Sequence, residues 1–217
     1  MYSSYFGNAV GVILTAAILY DFLFRSSISY NMLFLEEIWS RNLINLFVSP
    51  LRSSEVICAL TSTALLRTLL GLVPAVFIAM PLFNISIFEL GFPLYLLLLS
   101  LYMFGITLGL LVTAGLIRFG PSFENVAWAS LFFIAPLGCI YYPVDILPEW
   151  IKPLALSFPL AHIFEEMRSI LVNNTVNFKN ILIALGLNIF YIGLGIAVFY
   201  KAFKSAKNRG TLVNIGE

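Results

Sequence analysis

The chain has 217 residues, of which 60% are hydrophobic and only 11% charged, and its mean hydropathy is +0.96. Since an ordinary soluble domain has roughly 25% charged residues, this composition indicates an integral protein of a lipid bilayer. The formal net charge of +1 argues against nucleic-acid binding, which needs a clustered basic face.

The few metal-ligating side chains do not form a pattern. Cys58 and Cys139 each lie inside an apolar segment, outside any Cys-x-x-Cys or Cys/His spacing, and His162 is the only histidine. A multi-histidine metal site cannot be built from one histidine. We expect no metal and no cofactor in this chain.

Five stretches are long and apolar enough to cross a hydrocarbon core of about 30 Å as helices. We therefore predict an all-α membrane protein with a single transmembrane domain. Its spans are expected near residues 5–24, 56–80, 92–117, 126–142 and 181–200.

Lysine and arginine in short loops predict the orientation of the spans, because such loops stay cytoplasmic. Basic residues follow the first, third and fifth spans, whereas Glu89 is the only charge between the second and third. The chain should therefore have a cytoplasmic tail at 201–217 and an external N-terminus. An external N-terminus without a leader suggests that a segment before Met1 is missing or that the start is misplaced. The basic residues after those three spans are Arg25, Arg41, Arg52, Arg118, Lys201, Lys204, Lys207 and Arg209.

Two features lie within the spans. Arg67 is deep in the second span, where a charge must find a partner, snorkel or line a polar cavity. In the third span, Gly105, Gly109 and Gly115 form a small-residue face suited to close helix packing.

A charged amphipathic helix is predicted at 34–49, on the cytoplasmic side. Glu37 and Arg41 stand four residues apart in the favourable order, and Pro50 stops the helix. Its apolar residues, among them Leu46 and Phe47, recur at helical spacing. A helix of this kind can lie on a membrane or in a groove of another protein.

A proline-rich stretch, 144–172, is predicted on the external face of the membrane, opposite the basic cytoplasmic loops. Pro143 should end the fourth span, Pro148 should start a short helix, and Pro159 should separate it from a second amphipathic piece at 160–172. Trp150, Phe158 and Phe164 are suited to the membrane interface. Two short helices dipping into the bilayer without crossing it would fit this pattern.

These two stretches resemble the permease subunit of type-2 ABC exporters. The string EEIWSRNLINLFVSPL fits the family's charged cytoplasmic helix, and GCIYYPVDILPEWIKPLALSFPLAHIFEEMR fits its proline pattern with a closing Glu-x-x-Arg. The resemblance covers nearly the whole chain but aligns its first span with the family's second. The family's Gly-Thr pair in the coupling helix is replaced here by Arg41-Asn42-Leu43.

The resemblance implies that the helix at 34–49 couples to a separate ATP-binding subunit, which would hold ATP and Mg. A second permease subunit, identical or different, would complete the substrate path in the inner membrane, and the proline-rich stretch would gate its outer end. The chain itself carries no GxxxxGK[ST] loop for nucleotide and would be a transport subunit without its own enzymatic activity. The implied coupling residues are Glu37, Arg41, Leu43, Leu46, Phe47 and Pro50, and the implied outer-gate residues are Pro143, Leu147, Pro148, Pro159, Glu165 and Arg168.

Two other classes compete with the exporter. A secondary transporter would show ionisable residues near the midplane and often an internal repeat, whereas Arg67 is the only deep charge and no repeat is evident. The strings EEIWSR and FPLAH also resemble motifs of CAAX-type intramembrane proteases. That chemistry gathers a glutamate and several histidines in one pocket, and the charge pattern puts these two strings on opposite membrane faces.

Overall fold

A computed structural model describes residues 2–40, 42, 52–83 and 87–209. All regular structure in these ranges is helical. The described ranges contain seven α-helices: α1 (Tyr2–Trp39), α2 (Ser53–Phe83), α3 (Pro93–Phe119), α4 (Glu124–Leu137), α5 (Lys152–Leu156), α6 (Pro159–Asn173) and α7 (Phe178–Arg209). The all-α prediction is thus confirmed for the described residues.

Four of these helices, α1, α2, α3 and α7, are long and apolar enough to cross a membrane. The fourth predicted span corresponds to α4, whose 14 residues extend only about 21 Å, less than the ~30 Å hydrocarbon core. This helix ends at Leu137 rather than at Pro143, because the chain turns at Gly138 and Cys139 adopts a left-handed φ of 51°. The described residues therefore contain four helices long enough to span the membrane, and the predicted count of five is not confirmed.

Helix α3 is the centre of the bundle, with 72% of its spanning window buried. On one side Ser26 and Tyr30 of α1 pack against Gly105 and Gly109. This constant offset shows that α1 and α3 run parallel. A Cβ atom at Gly109 would lie 2.7 Å from the Tyr30 ring, so the glycine is needed for this approach. The small-residue face therefore serves close packing, as its pattern predicts.

On its other side, α3 packs against α7. The Asn188 side chain donates to the Ser100 carbonyl oxygen and hydroxyl at 3.0 and 2.6 Å. Farther along, Gly195 approaches Leu110. Residue numbers rise together along the two helices from one contact to the next, so α7 is also parallel to α3. We call the end of the bundle where α3 and α7 begin the cap end, and the opposite end, with Arg118 and Lys201, the basic end.

Helix α1 continues well past the predicted end of the first span at residue 24. Arg25 was expected in a cytoplasmic flank, but it forms an i,i+4 ion pair with Asp21 at 2.5 Å. The following residue, Ser26, lies beside Gly105, near the middle of α3. The prediction ended the first span at Arg25 because it counted this residue as a flanking cation, without its partner Asp21.

Helix α2 lies at the periphery of the bundle, where only 17% of its spanning window is buried. A narrow stripe faces the other helices, and the rest is apolar and exposed, which suits contact with lipid. The stripe comprises Val56, Ala64, Thr68, Leu72 and Val76.

Candidate functional site

The segment between α4 and α7, residues 138–177, is folded as a compact unit that we call the cap segment. A 3₁₀ turn at Val144–Ile146 is followed by the short helices α5 and α6. Pro159 is the first residue of α6, where a missing N–H costs nothing, and Asn174 ends α6 with a φ of 52°. Helix α6 agrees with the predicted amphipathic piece at 160–172 to within one residue at each end.

The turn between α5 and α6 lies deep between the long helices. The Phe158 ring stacks on Tyr191 of α7, and both rings meet Phe104 of α3 edge-on, with centroids 6.0 to 6.3 Å apart. The Tyr191 hydroxyl also donates to the Ser157 carbonyl oxygen at 3.2 Å. Phe104 is eleven residues from the start of α3, so the turn lies roughly 17 Å along that helix from the cap end.

This depth corrects part of the sequence interpretation. Trp150 is 79% exposed, as an interfacial residue can be, but Phe164 is fully buried and Phe158 belongs to the aromatic cluster. Phe164 therefore packs inside the protein, and the half-buried Phe158 packs against the long helices. The ring contacts of Phe158 hold the cap segment against α3 and α7.

Arg168 and Glu165 of α6 hold the chain that leaves α4. The Arg168 guanidinium donates to the carbonyl oxygens of Cys139 and Ile140 at 2.9 and 3.2 Å. Glu165 accepts the backbone N–H of Val144 at 2.6 Å and pairs with Arg168 at 3.2 Å. These bonds satisfy backbone groups that helix geometry no longer serves. We call this arrangement the Glu165–Arg168 clamp.

Glu166 makes a second connection, which the sequence interpretation missed. Its side chain is fully buried and accepts the Asn177 backbone N–H at 2.6 Å and the Asn180 side-chain amide at 3.3 Å. Both donors lie at the start of α7, where unpaired N–H groups and the helix dipole favour a carboxylate. The adjacent acidic pair in the sequence was the available signal, since neighbouring helix positions face different partners.

A polar cavity of about 580 Å³ opens beside the clamp. It brings together three of the six predicted gate residues, Pro143, Glu165 and Arg168, along with His162. The other three lie elsewhere: Leu147 packs on a small cluster with Val144, Pro148 is exposed before a turn, and Pro159 begins α6. Additional lining comes from Val144, Asp145, Leu156, Ser169, Val172, Asn173 and Asn180.

Three titrating groups of the cap segment have raised pKa values, one of them Tyr142, where burial is the main cause. Burial raises the pKa of the Cys139 thiol, although the nearby Arg168 acts in the opposite direction. A hydrogen bond to Glu149 raises the pKa of Lys152 at the surface. The Cys139 thiol is therefore protonated at neutral pH and poorly reactive.

Of the predicted coupling residues, only Glu37 lies within the described residues, where it belongs to the continuous helix α1 and accepts the Asn42 side-chain amide at 2.7 Å. The helix predicted to begin at residue 34 therefore has no separate start. The remaining coupling residues, Arg41, Leu43, Leu46, Phe47 and Pro50, lie outside the described residues.

Arg67, the candidate cavity residue, has a partner on α1 that the sequence interpretation did not name. Its guanidinium forms a bidentate ion pair with the Glu36 carboxylate, with N to O distances of 2.8 and 2.9 Å. Both side chains remain between 42% and 49% exposed. Pairing neutralises the charge, and the exposure leaves the pair open to a polar space or to another subunit.

The sequence matches no family model, and no curated protein matches it at a significant level. The resemblance to exporter permeases therefore depends on the two strings themselves, the one that contains Glu37 and the one from Gly138 to Arg168.

Proposed function

We propose that the chain is the membrane-spanning permease subunit of an ATP-driven exporter of the type-2 ABC class. A separate ATPase subunit would bind ATP and Mg, and a second permease subunit, identical or different, would complete the path across the inner membrane. This chain would carry the substrate path and the coupling surface, without catalysing hydrolysis itself.

One geometric observation supports this proposal: the described start of the first string, residues 36–40, lies at the opposite end of the bundle from Arg168 in the second string. Asn31 contacts Thr113 near the end of α3, and Glu37 lies six residues farther along α1. Arg168, by contrast, is on α6, which meets the first residues of α7 at the cap end. An exporter needs this separation, with energy input on one membrane face and release on the other.

The cap segment suits the role of an external gate. Its turn at Phe158 reaches about halfway down α3 and returns, so it would enter the membrane without crossing it. The Glu165–Arg168 clamp binds the backbone groups of Cys139 and Val144, where the chain leaves α4, through side chains that could separate during opening. The Glu36–Arg67 pair would face the substrate path.

The same geometry weighs against the protease alternative. Glu36 and Glu37 lie near the basic end of α1, whereas His162 lies on α6 at the cap cavity. A catalytic glutamate and its histidine must share one pocket. A secondary transporter stays the second candidate because α1 carries the Asp21–Arg25 pair near the middle of the bundle.

The test is a mild-detergent pull-down of the tagged chain from its own membranes, followed by mass spectrometry and an ATPase assay of the eluate. We expect a stoichiometric ATP-binding subunit that is lost in Leu46→Asp. Ile146→Asp is the matched control, because it places the same charge on an exposed residue of the cap segment and should retain the ATPase. Recovery of a well-folded chain without ATPase would contradict the proposal.

A further inference from the structure

A second cavity, of about 640 Å³, lies between α3 and α7 at the basic end, far from the cap segment. Its inner part, nearer the middle of the bundle, is lined by Leu111, Ala114 and Val198, and its outer part, nearer the basic end, by Arg118 and Lys201. From Leu111 to Phe119, the cavity follows α3 for roughly 12 Å. The remaining lining residues are Gly115, Ile117, Phe123, Ala202, Ser205 and Ala206.

The charges at this cavity are of one sign. Its lining includes two cations and no carboxylate. Neither Arg118 nor Lys201 forms an ion pair within the part of the chain that the structure describes. The Arg118 guanidinium lies 5.5 Å from the centre of the Phe119 ring, a contact that leaves its N–H donors unused.

The inner part of the cavity is continuous with the apolar surface of the bundle. Val198 lines the cavity and is 39% exposed, and Leu194, one helical turn earlier on α7, extends the same exposed apolar surface. An occupant can therefore enter sideways from the hydrocarbon region. The cavity therefore has an apolar trough, formed by its inner part, and two cations nearer the basic end.

We propose that this cavity binds an anionic phospholipid, with its phosphate between Arg118 and Lys201 and an acyl chain along Leu111 and Val198. Basic pockets between membrane helices recognise lipid headgroups by this combination of charge and apolar surface. The proposal requires only that the chain lies in a bilayer and is independent of the exporter function.

The test is native mass spectrometry of the purified full chain titrated with phosphatidylglycerol or phosphatidylcholine that carry identical acyl chains. We expect phosphatidylglycerol to bind at least tenfold more tightly. Removing both cations in Arg118→Gln/Lys201→Gln should weaken it about 30-fold, or about fivefold for each cation. Lys204→Gln, a control on the same helix outside the cavity lining, should change the affinity less than twofold.

A further variant tests the apolar trough without touching the charges. Ala202→Phe should fill the cavity and reduce phosphatidylglycerol binding at least tenfold. Glycerol phosphate, which has the anionic group but no acyl chain, should not compete at millimolar concentration. Equal binding of the two lipids, full binding by Ala202→Phe, or effective competition by glycerol phosphate would each overturn the proposal.

Discussion

The centre of the bundle and the cap segment are held together by different forces. Where α1 and α7 pack against α3, glycines let neighbouring side chains approach the backbone closely, as at Gly105 and Gly109. In the cap segment, charged side chains bond to backbone groups, as at Glu165, Glu166 and Arg168.

This difference follows from what each region must satisfy. A regular helix pairs its own backbone groups, so the bundle centre can rely on close packing. The cap segment is broken by prolines and turns, so its free N–H and C=O groups need side-chain partners. Substitutions should therefore act mainly through electrostatics in the cap segment and mainly through steric overlap at the bundle centre.

The largest loss should come from Arg168→Gln. It removes the donor to two carbonyl oxygens and leaves Glu165 without its cation, so we expect a loss of about 3 kcal/mol in the free energy of unfolding. Titration with a denaturing detergent in mixed micelles would measure it. Lys152→Gln removes a surface pair with Glu149 and should leave stability unchanged; an equal loss there would remove the distinction.

Glu166→Gln should cost somewhat less, about 2 kcal/mol, because a neutral amide accepts more weakly from Asn177 and Asn180. The same titration applies, and hydrogen exchange of the first turn of α7 should increase selectively. The exposed Glu149→Gln is the matched change. Unaltered exchange in α7 would show that Glu166 does not hold the start of that helix.

Gly109→Ala should lower stability by about 1–2 kcal/mol through steric overlap with the Tyr30 ring. Gly193→Ala offers the comparison, because nothing lies within 4 Å of a Cβ atom placed there. Alanine is the better helix former, so Gly193→Ala should be neutral or slightly stabilising. Identical behaviour of the two variants would mean that α1 does not approach α3 at Gly109.

The smallest perturbation uses Cys139 as a reporter in a Cys58→Ser background. Because burial raises the pKa of this thiol, maleimide labelling at pH 8 should be slower than in the unfolded chain and should accelerate as the pH rises. The pKa of this thiol is higher in the folded than in the unfolded chain, so folding favours the protonated thiol. The stability that this preference contributes is fully present below the pKa of the unfolded chain and is lost as pH rises through the pKa of the folded chain. Arg168→Gln removes a cation that lowers the pKa of this thiol but also frees the loop, and because burial is the stronger influence on that pKa, labelling should accelerate. Unchanged labelling would show that the clamp does not keep Cys139 buried.

Much of the fold could be predicted from local signals. Hydrophobic length identified the long helices, proline identified the start of α6, and glycine spacing identified the packing face of α3. Each of these depends on neighbours along one segment. The continuation of α1 past Arg25 was missed, because the charge at Arg25 was treated as the end of the span, whereas it is paired with Asp21 inside a helix that continues to Trp39.

The candidate site was harder to predict, because it depends on contacts between distant residues. The sequence pointed to Glu165 and Arg168 but gave no indication that they bond to the backbone at Cys139 and Val144. It likewise gave Arg67 no partner, since Glu36 is thirty-one residues away and on another helix. Leu147 and Pro148 were assigned to the gate by their resemblance to the family's proline pattern, yet they do not line its cavity.

The parallel packing of α3 and α7 has a consequence for biosynthesis. Helix α3 meets its partner α7 only after the ribosome has passed the whole cap segment, because Ser100 bonds to Asn188 and Leu110 meets Gly195. Until then, one face of the central helix has to be covered by lipid or by the insertion machinery. A chain terminated before α7 would leave this face of α3 without the contacts that Asn188 and Gly195 make in the complete bundle.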